Sequence, residues 1–301
     1  MTEASEFRCS AASIDRGEDL GGTASTIRAF LLVENDRSWG VEALRDSRMD
    51  AAALAGLRSN ASGTGVRVLM ARKCGRRPVR SRLRVLAAYA HPERSWAEQV
   101  ELDDPAALAD LDLAALGQGR SLGLAAHPDP IFAVCTHGRH DTCCAEQGRP
   151  VAQALTDVRA DQTWECSHVG GDRYAANMVV LPYGLYYGRL DPESAVQVGT
   201  ATDEGRLELA HLRGRSSYAT SVQAAEIALR RELGEFGLTS LRLLGRTRSD
   251  QLTTTTWSVV GSDQQHQVQV RSTLGDQQLL TCRAVQTNPI PHHEIVEIRR
   301  L

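Results

Sequence analysis

Apolar and polar positions along this chain follow two rhythms, and the change between them divides it into segments. Residues 27–34 (IRAFLLVE) form a short apolar run suited to a buried strand. Over 39–57, Val41, Leu44, Ala51, Leu54 and Leu57 recur at helical spacing. Residues 66–71 and 83–88 read as two more strands around a turn holding Arg76, Arg77 and Pro78, so a βαββ-like first unit is expected. Residues 101–119 open on acidic residues and Pro105, then run into an Ala/Leu-rich helix. His127-Pro128-Asp129-Pro130 enforces extended chain, because a residue before proline avoids the helical region. A boundary is expected near 125.

Beyond it, 131–134 predicts a strand whose end delivers Cys135. Residues 150–158 predict a helix with Pro150 in its first turn. A strand at 163–166 follows, then a hairpin of 178–181 and 185–188 around Pro182-Tyr183-Gly184. After an irregular stretch, 221–233 is an amphipathic helix closed by Gly234. That order is the order of a thioredoxin-like sheet. The tail alternates in short runs and predicts small strands, while residues 1 to about 25 lack periodicity and are expected to form a partly mobile leader. The expected fold class is α/β, with units 1–125, 126–238 and a β-rich extension 239–301. No internal repeat is visible in the sequence.

Composition narrows the function. Among 301 residues, 34 are basic and 37 acidic, a net charge of −3 without the basic excess of a nucleic-acid binder. All of the basic residues except Lys73 are Arg, which reads as the codon usage of a GC-rich genome. Apolar residues at 42% suffice for a buried core, and aromatics at 5% leave that core to Leu, Val and Ala. No run reaches the roughly 18 apolar residues of a membrane helix, so no membrane partner is expected. The first ten residues carry no apolar signal region, so the expected location is the cytoplasm. There the seven cysteines suit metal or redox chemistry better than structural disulfides.

Four of those seven lie between Cys135 and Cys166. One segment reads Cys135-Thr-His-Gly-Arg-His-Asp-Thr-Cys143-Cys144, the other Trp164-Glu-Cys166-Ser-His168-Val-Gly-Gly-Asp172. Both follow predicted strands, so one sheet edge would present both. Cys135 and Cys144 are eight residues apart, His168 and Asp172 three. A thiolate pair facing a second pair that includes imidazole is what a mixed-ligand iron–sulfur cluster requires. Gly170 and Gly171 would allow close backbone approach. A structural zinc site is the main rival, although the spacing is wider than in zinc knuckles. Thiol exchange by Cys143-Cys144 lacks a C-x-x-C motif. A cysteine phosphatase would need Arg where Cys135 meets Asp141.

Around this segment, His137 and His140 read as hydrogen-bonding neighbours or solvent-facing groups. Arg139 and Arg173 would balance cluster charge or dock an acidic partner. The basic run Arg72, Lys73, Arg76, Arg77, Arg80, Arg82 and Arg84 reads as a solvated turn and strand face, and His292-His293 as an exposed turn. Glu165 lacks a partner carboxylate for glycoside hydrolysis.

The segments CTHGRHDTCC, WECSHVGGDRYAAN and LPYGLYYGRL resemble the sucrase/ferredoxin-like family. FRCSAAS, FLLVENDRSWG, ALRDSRMD and LLTCRA are similar to it as well, so the resemblance spans most of the chain. It implies a thioredoxin-like ferredoxin domain and a [2Fe–2S] electron carrier that serves a redox protein as donor or acceptor. The family's ligands would be two Cys in the first loop and two His three residues apart in the second. Cys135, Cys144 and His168 match; Asp172 stands in place of the second His. Asp172 as ligand, Cys166 in its stead, or Asp172 as a helix cap remain the alternatives. A zinc-stabilised binding module and a cluster-dependent reductase of a small acceptor are the other functions the residues allow.

Overall fold

The computed structural model describes residues 7–75 and 82–301. The turn expected at Arg76, Arg77 and Pro78, and Arg80 of the basic run, lie outside the described residues.

The chain opens with α1 (Cys9–Asp15), β1 (Ala29–Glu34), α2 (Ala43–Asp46), α3 (Ala51–Ala61) and β2 (Val66–Arg72). β2 lies parallel to β1, and β3 (Leu83–Tyr89) runs antiparallel on its other side. Next come β4 (Trp96–Leu102), a 3-10 turn (Pro105–Asp110), α4 (Leu113–Gly117) and the short β5 (Ala125–Ala126). The second half repeats this plan with β6 (Ile131–Cys135), α5 (Thr142–Arg159), the parallel β7 (Thr163–Cys166), then antiparallel β8 (Met178–Leu181) and β9 (Leu185–Tyr187). Then follow α6 (Pro192–Asp203), β10 (Leu212–Arg215) and α7 (Thr220–Leu233). β11 (Leu241–Ser249), β12 (Leu252–Val259), β13 (Gln265–Gln278) and β14 (Asn288–Arg300) form a separate antiparallel sheet.

The two halves share one sheet. β2 pairs antiparallel with β7, Ala71 opposite Cys166 and Arg72 opposite Glu165, giving the order β10-β9-β8-β6-β7-β2-β1-β3-β4-β5. Read outward from that junction, β2-β1-β3-β4 and β7-β6-β8-β9 have the same arrangement of parallel and antiparallel neighbours. The plan is duplicated although no repeat is legible in the sequence. β6 is buried at every position because both sheet faces are covered, the usual reason for an uninterrupted apolar strand. Phe132 and Val134 face Val151 and Leu155 of α5, while Ile131 and Ala133 join Phe30, Leu32 and Trp164 on the other face. Through Val222, Ala225 and Leu229, α7 packs on Trp257, Val268 and Val270 of the C-terminal sheet.

Several elements differ from the sequence expectation. The leader expected to be partly mobile contains α1, which buries Cys9 and Ser13 completely. The helix read across 39–57 is two helices, because Asp46 bonds the backbone at Val41 and Glu42 and Asp50 starts a new helix by accepting from Ala53. The Ala/Leu-rich helix likewise splits at Asp112, which caps α4. α5 begins at Thr142 instead of Pro150, with Asp141 as its N-cap, so Pro150 lies inside the helix and Cys143 and Cys144 belong to its first turn. The stretch taken as irregular after the hairpin contains α6, signalled by Asp191-Pro192 and a capping box with Ser194. The tail strands are longer than expected, and β14 takes in His292 and His293, with His293 Nδ1 2.8 Å from Ser272 Oγ. Lys73 is not a solvated surface charge: it is buried, donates to the carbonyls of Ala160, Asp161 and Thr163, and lies over the Trp164 ring.

Candidate metal centre

β6 ends at Cys135, whose N–H donates to the Asn177 carbonyl at 2.9 Å. A short loop then leads to Asp141, which starts α5 and puts Cys144 back beside Cys135. Gly148 permits this return: a Cβ there would run into the Cys135 carbonyl. From the neighbouring strand β7, the chain continues to His168 and, through Gly170 and Gly171 at positive φ, to Asp172. A side chain at Gly171 would strike the guanidinium of Arg213.

Arg213 holds that second loop from beneath. It is 1% exposed and donates to the Gly170 carbonyl at 2.9 Å, to Asn177 Oδ1 at 2.7 Å and to Thr23 Oγ1 at 3.1 Å. Asn177 in turn donates to the Gly171 carbonyl at 2.8 Å. Burial lowers the guanidinium to about 10, a mark of how little water reaches it.

Donor atoms of Cys135, Cys144 and His168 all lie within 4.8 Å of one another. Asp172 Oδ1 accepts from Cys144 Sγ at 3.1 Å and lies 2.8 Å from His168 Nδ1. That last approach is a close ion-pair contact between the imidazole and the buried carboxylate. A nitrogen and a carboxylate this close, beside two thiols, form a compact set of donor atoms. His140 completes the group: its Nε2 is 3.8 Å from Asp172 Oδ2 and its ring stacks on His168 at 3.9 Å. His137 stands behind them. His137 Nδ1 accepts from the His168 backbone N–H at 3.3 Å, so Nε2 carries the proton toward the Gly40 carbonyl at 2.9 Å.

The electrostatics suit a cation. Hydrogen bonding with Cys144 outweighs burial and holds the Cys135 thiol well below its ordinary value. Cys144 is pushed far up, first by its bond with Cys135 and then by burial, so one thiol of the pair is readily ionised and the other is not. Burial opposes charge on His168, but the Asp172 carboxylate and Cys135 raise it to about 9. Burial likewise opposes ionisation of Asp172, yet His168 brings it below the usual carboxylate range.

Gly171, not Asp172, is the N-cap of the 3-10 turn Asp172–Tyr174, and the Asp172 side chain makes no cap. Cys166 lies opposite Cys135 in the strand pair and shares a buried cluster with Cys135 and Cys144; burial and the Cys135 thiol raise its own thiol. Sequence reasoning placed His140 only as a neighbour; its position, five residues past Cys135 in a loop that folds back, gave no periodic signal.

The sucrase/ferredoxin-like family model matches residues 20–214, well over half the chain and the whole of this centre. The chain belongs to the sucrase/ferredoxin-like family. Among curated proteins, this sucrase/ferredoxin-like chain is similar to altered inheritance of mitochondria protein 32 of Meyerozyma guilliermondii, at 35% identity over 75 residues. That match covers 22% of this chain and 27% of the relative, so the chain spans about a quarter of that protein's length. No solved structure matches. No helix among the described residues is long and apolar enough to cross a membrane.

Beside the centre opens a cleft of about 630 Å³ bordered by Trp39, Arg72, His137, Arg139 and Arg149. Arg72 is tied to Glu165 at 2.5 Å and lies 4.5 Å from the centroid of the Trp39 ring, so Glu165 serves as an ion-pair partner at this cleft.

Proposed function

We propose that this member of the family is a one-electron carrier that holds a [2Fe–2S] cluster with Cys135, Cys144, His168 and Asp172. The observation that carries the reading is the convergence of two thiols, an imidazole nitrogen and a buried carboxylate at one end of β6 and β7. Soft thiolates on one iron with imidazole on the other form an accepted donor set for such a cluster. When bound, the cluster supplies reversible one-electron storage; the chain supplies position, charge and shielding.

Each task falls to identified residues. Cys135 and Cys144 would hold one iron from a strand end and a helix first turn, elements too firmly packed to drift. His168 and Asp172 would hold the other from the loop that Arg213 and Asn177 clamp. The Asp172 carboxylate adds negative charge where a second imidazole would add none, which favours the oxidised state. The His168 side chain is 25% exposed and that of His140 23%, so the imidazole edges are where an electron partner would approach. Arg139 and Arg149 at the neighbouring cleft favour an acidic surface on that partner. The strand order β9-β8-β6-β7, with α5 crossing from β6 to β7, supports a thioredoxin-like ferredoxin module over 126–238, flanked by the units 1–125 and 239–301. The cysteine usage suits the cytoplasm.

The test is anaerobic purification followed by iron and sulfide analysis with EPR before and after reduction. The carrier reading expects two irons and two sulfides per chain and a signal on reduction. A second reading, one tetrahedral zinc, draws on the compactness of Cys135, Cys144 and His168, whose donor atoms sit within 4.8 Å of one another. One zinc without labile sulfide would replace the carrier by a metal-stabilised binding module. Turnover of a small acceptor without a protein partner would make the protein a reductase.

A further inference from the structure

Three cysteines that the proposed cluster does not use also meet. Cys9 comes from α1, Cys143 from the first turn of α5, and Cys282 from the connection between β13 and β14. Their sulfurs and the Asp141 carboxylate lie within 4.8 Å of one another. Cys143 Sγ is 3.3 Å from Cys282 Sγ, which is 3.6 Å from Cys9 Sγ, and Cys9 Sγ is 3.7 Å from both Asp141 oxygens. With Zn–S near 2.3 Å and Zn–O near 2.0 Å, the edges of a tetrahedral site are about 3.8 Å between sulfurs and about 3.5 Å from sulfur to oxygen. The observed sulfur–sulfur separations fall short of that edge by about 0.5 Å or less, and the sulfur–oxygen separations exceed theirs by about 0.2 Å.

Two independent features point to a cation here. Asp141 is 0% exposed, and no arginine, lysine or histidine among the described residues pairs with it. Backbone N–H groups and the start of α5 offset part of the cost of burying this carboxylate, and a cation beside it would offset the rest. Its two oxygens accept the N–H groups of Cys143 and Cys282 at 2.9 and 2.7 Å, which leaves lone pairs free for a metal. The sulfurs are also supplied with donors: Ser10 Oγ–H reaches Cys143 Sγ at 3.2 Å, and the Cys9 N–H reaches Cys282 Sγ at 3.5 Å. Outer hydrogen bonds of this kind stabilise thiolates that ligate a metal.

We propose that Cys9, Cys143, Cys282 and Asp141 form a second metal site, a structural zinc that fastens α1 and the C-terminal sheet to the start of α5. Each thiol that ligates releases its proton to solvent, and no oxidant or reductant is involved. Cys9 and Cys282 lie outside the residues that the family model matches, and the site shares no donor with the cluster site.

The experiment is elemental analysis of the full-length protein purified without added metal, alongside iron and sulfide. One zinc per chain is expected, lost from Cys282→Ser and Cys9→Ser while the iron-to-chain ratio stays native. Cys144→Ser should do the reverse, releasing the cluster and keeping the zinc. The native zinc content stands as a test even where a variant fails to fold. Only traces of zinc in the native protein, zinc that follows Cys144→Ser instead of Cys282→Ser, or a Cys143–Cys282 disulfide in the isolated protein would overturn the proposal. A cluster site without iron would sink the carrier reading and leave this result unchanged.

Discussion

Cys143 and Cys144 are consecutive residues whose sulfurs serve different neighbourhoods: Cys144 Sγ lies 3.1 Å from Asp172, and Cys143 Sγ lies 3.3 Å from Cys282. A helical turn rotates successive side chains by about 100°, so starting α5 at Thr142 sends the two thiols to separate faces. A vicinal pair that reads in the sequence as one redox unit is thereby divided between two donor groups.

Asp172 should matter to the centre and Cys166 should not. Asp172→Ala is expected to lose most of the bound iron and sulfide, whereas Cys166→Ala should retain native amounts. Asp172→His should keep the cluster and raise its midpoint potential, because neutral imidazole replaces an anion. Equal iron retention in Asp172→Ala and wild type would remove Asp172 from the ligand set.

Gly148→Ala tests the return of α5 onto β6. The added methyl meets the Cys135 carbonyl, a backbone atom that cannot swing aside. A loss of about 1–3 kcal/mol in chemical denaturation is expected, together with poorer iron retention than in an α5 surface variant such as Gln153→Ala. A stable variant with native iron content would show that this close approach does not position Cys135.

Arg213→Met should loosen the glycine loop. It strips hydrogen bonds from the Gly170 carbonyl, Asn177 and Thr23 in a site without water access. The expected cost is about 2 kcal/mol or more, since buried acceptors lose their donor. Hydrogen exchange should quicken at 170–177 more than in β6; uniform exchange across both would contradict the clamp.

The buried trio Glu226, Arg230 and Arg215 predicts acid sensitivity away from the metal centre. Glu226 Oε1 accepts from Arg230 Nη2 at 3.0 Å and lies 3.4 Å from Arg215 Nη2. Burial opposes its charge, but the two guanidiniums hold its carboxyl below the ordinary 4.5. A depressed carboxyl gives stability that is complete above about pH 4.5 and disappears as pH falls through the folded-state value. Glu226→Gln should cost about 3–5 kcal/mol at pH 7 by leaving two buried cations uncompensated. Urea titrations at several pH values should show this penalty shrinking on acidification; a penalty independent of pH would refute the linkage.

Strands were legible wherever burial was two-sided. β6 and β8 matched uninterrupted apolar runs because a strand covered on both faces favours apolar residues at every position. Helix starts were less visible. Asp141 and Asp50 act through single side-chain bonds to backbone, which leave no periodic trace, whereas Gly234 at φ 68° was a readable stop for α7. The same weakness hid α6, whose signal is confined to Asp191, Pro192 and Ser194.

By itself the sequence determined the donor types, their spacing and the strands that deliver them, since alternation and ligand chemistry are local properties of the chain. Tertiary structure decided the groupings. It joined the halves through β2 and β7, brought His140 over His168, and gathered Cys9 and Cys282 onto Cys143 across more than 130 residues on either side. Spacing along a chain cannot encode such meetings, because they depend on which faces the packed elements present to one another, and that is set only when the sheet closes and the helices seat.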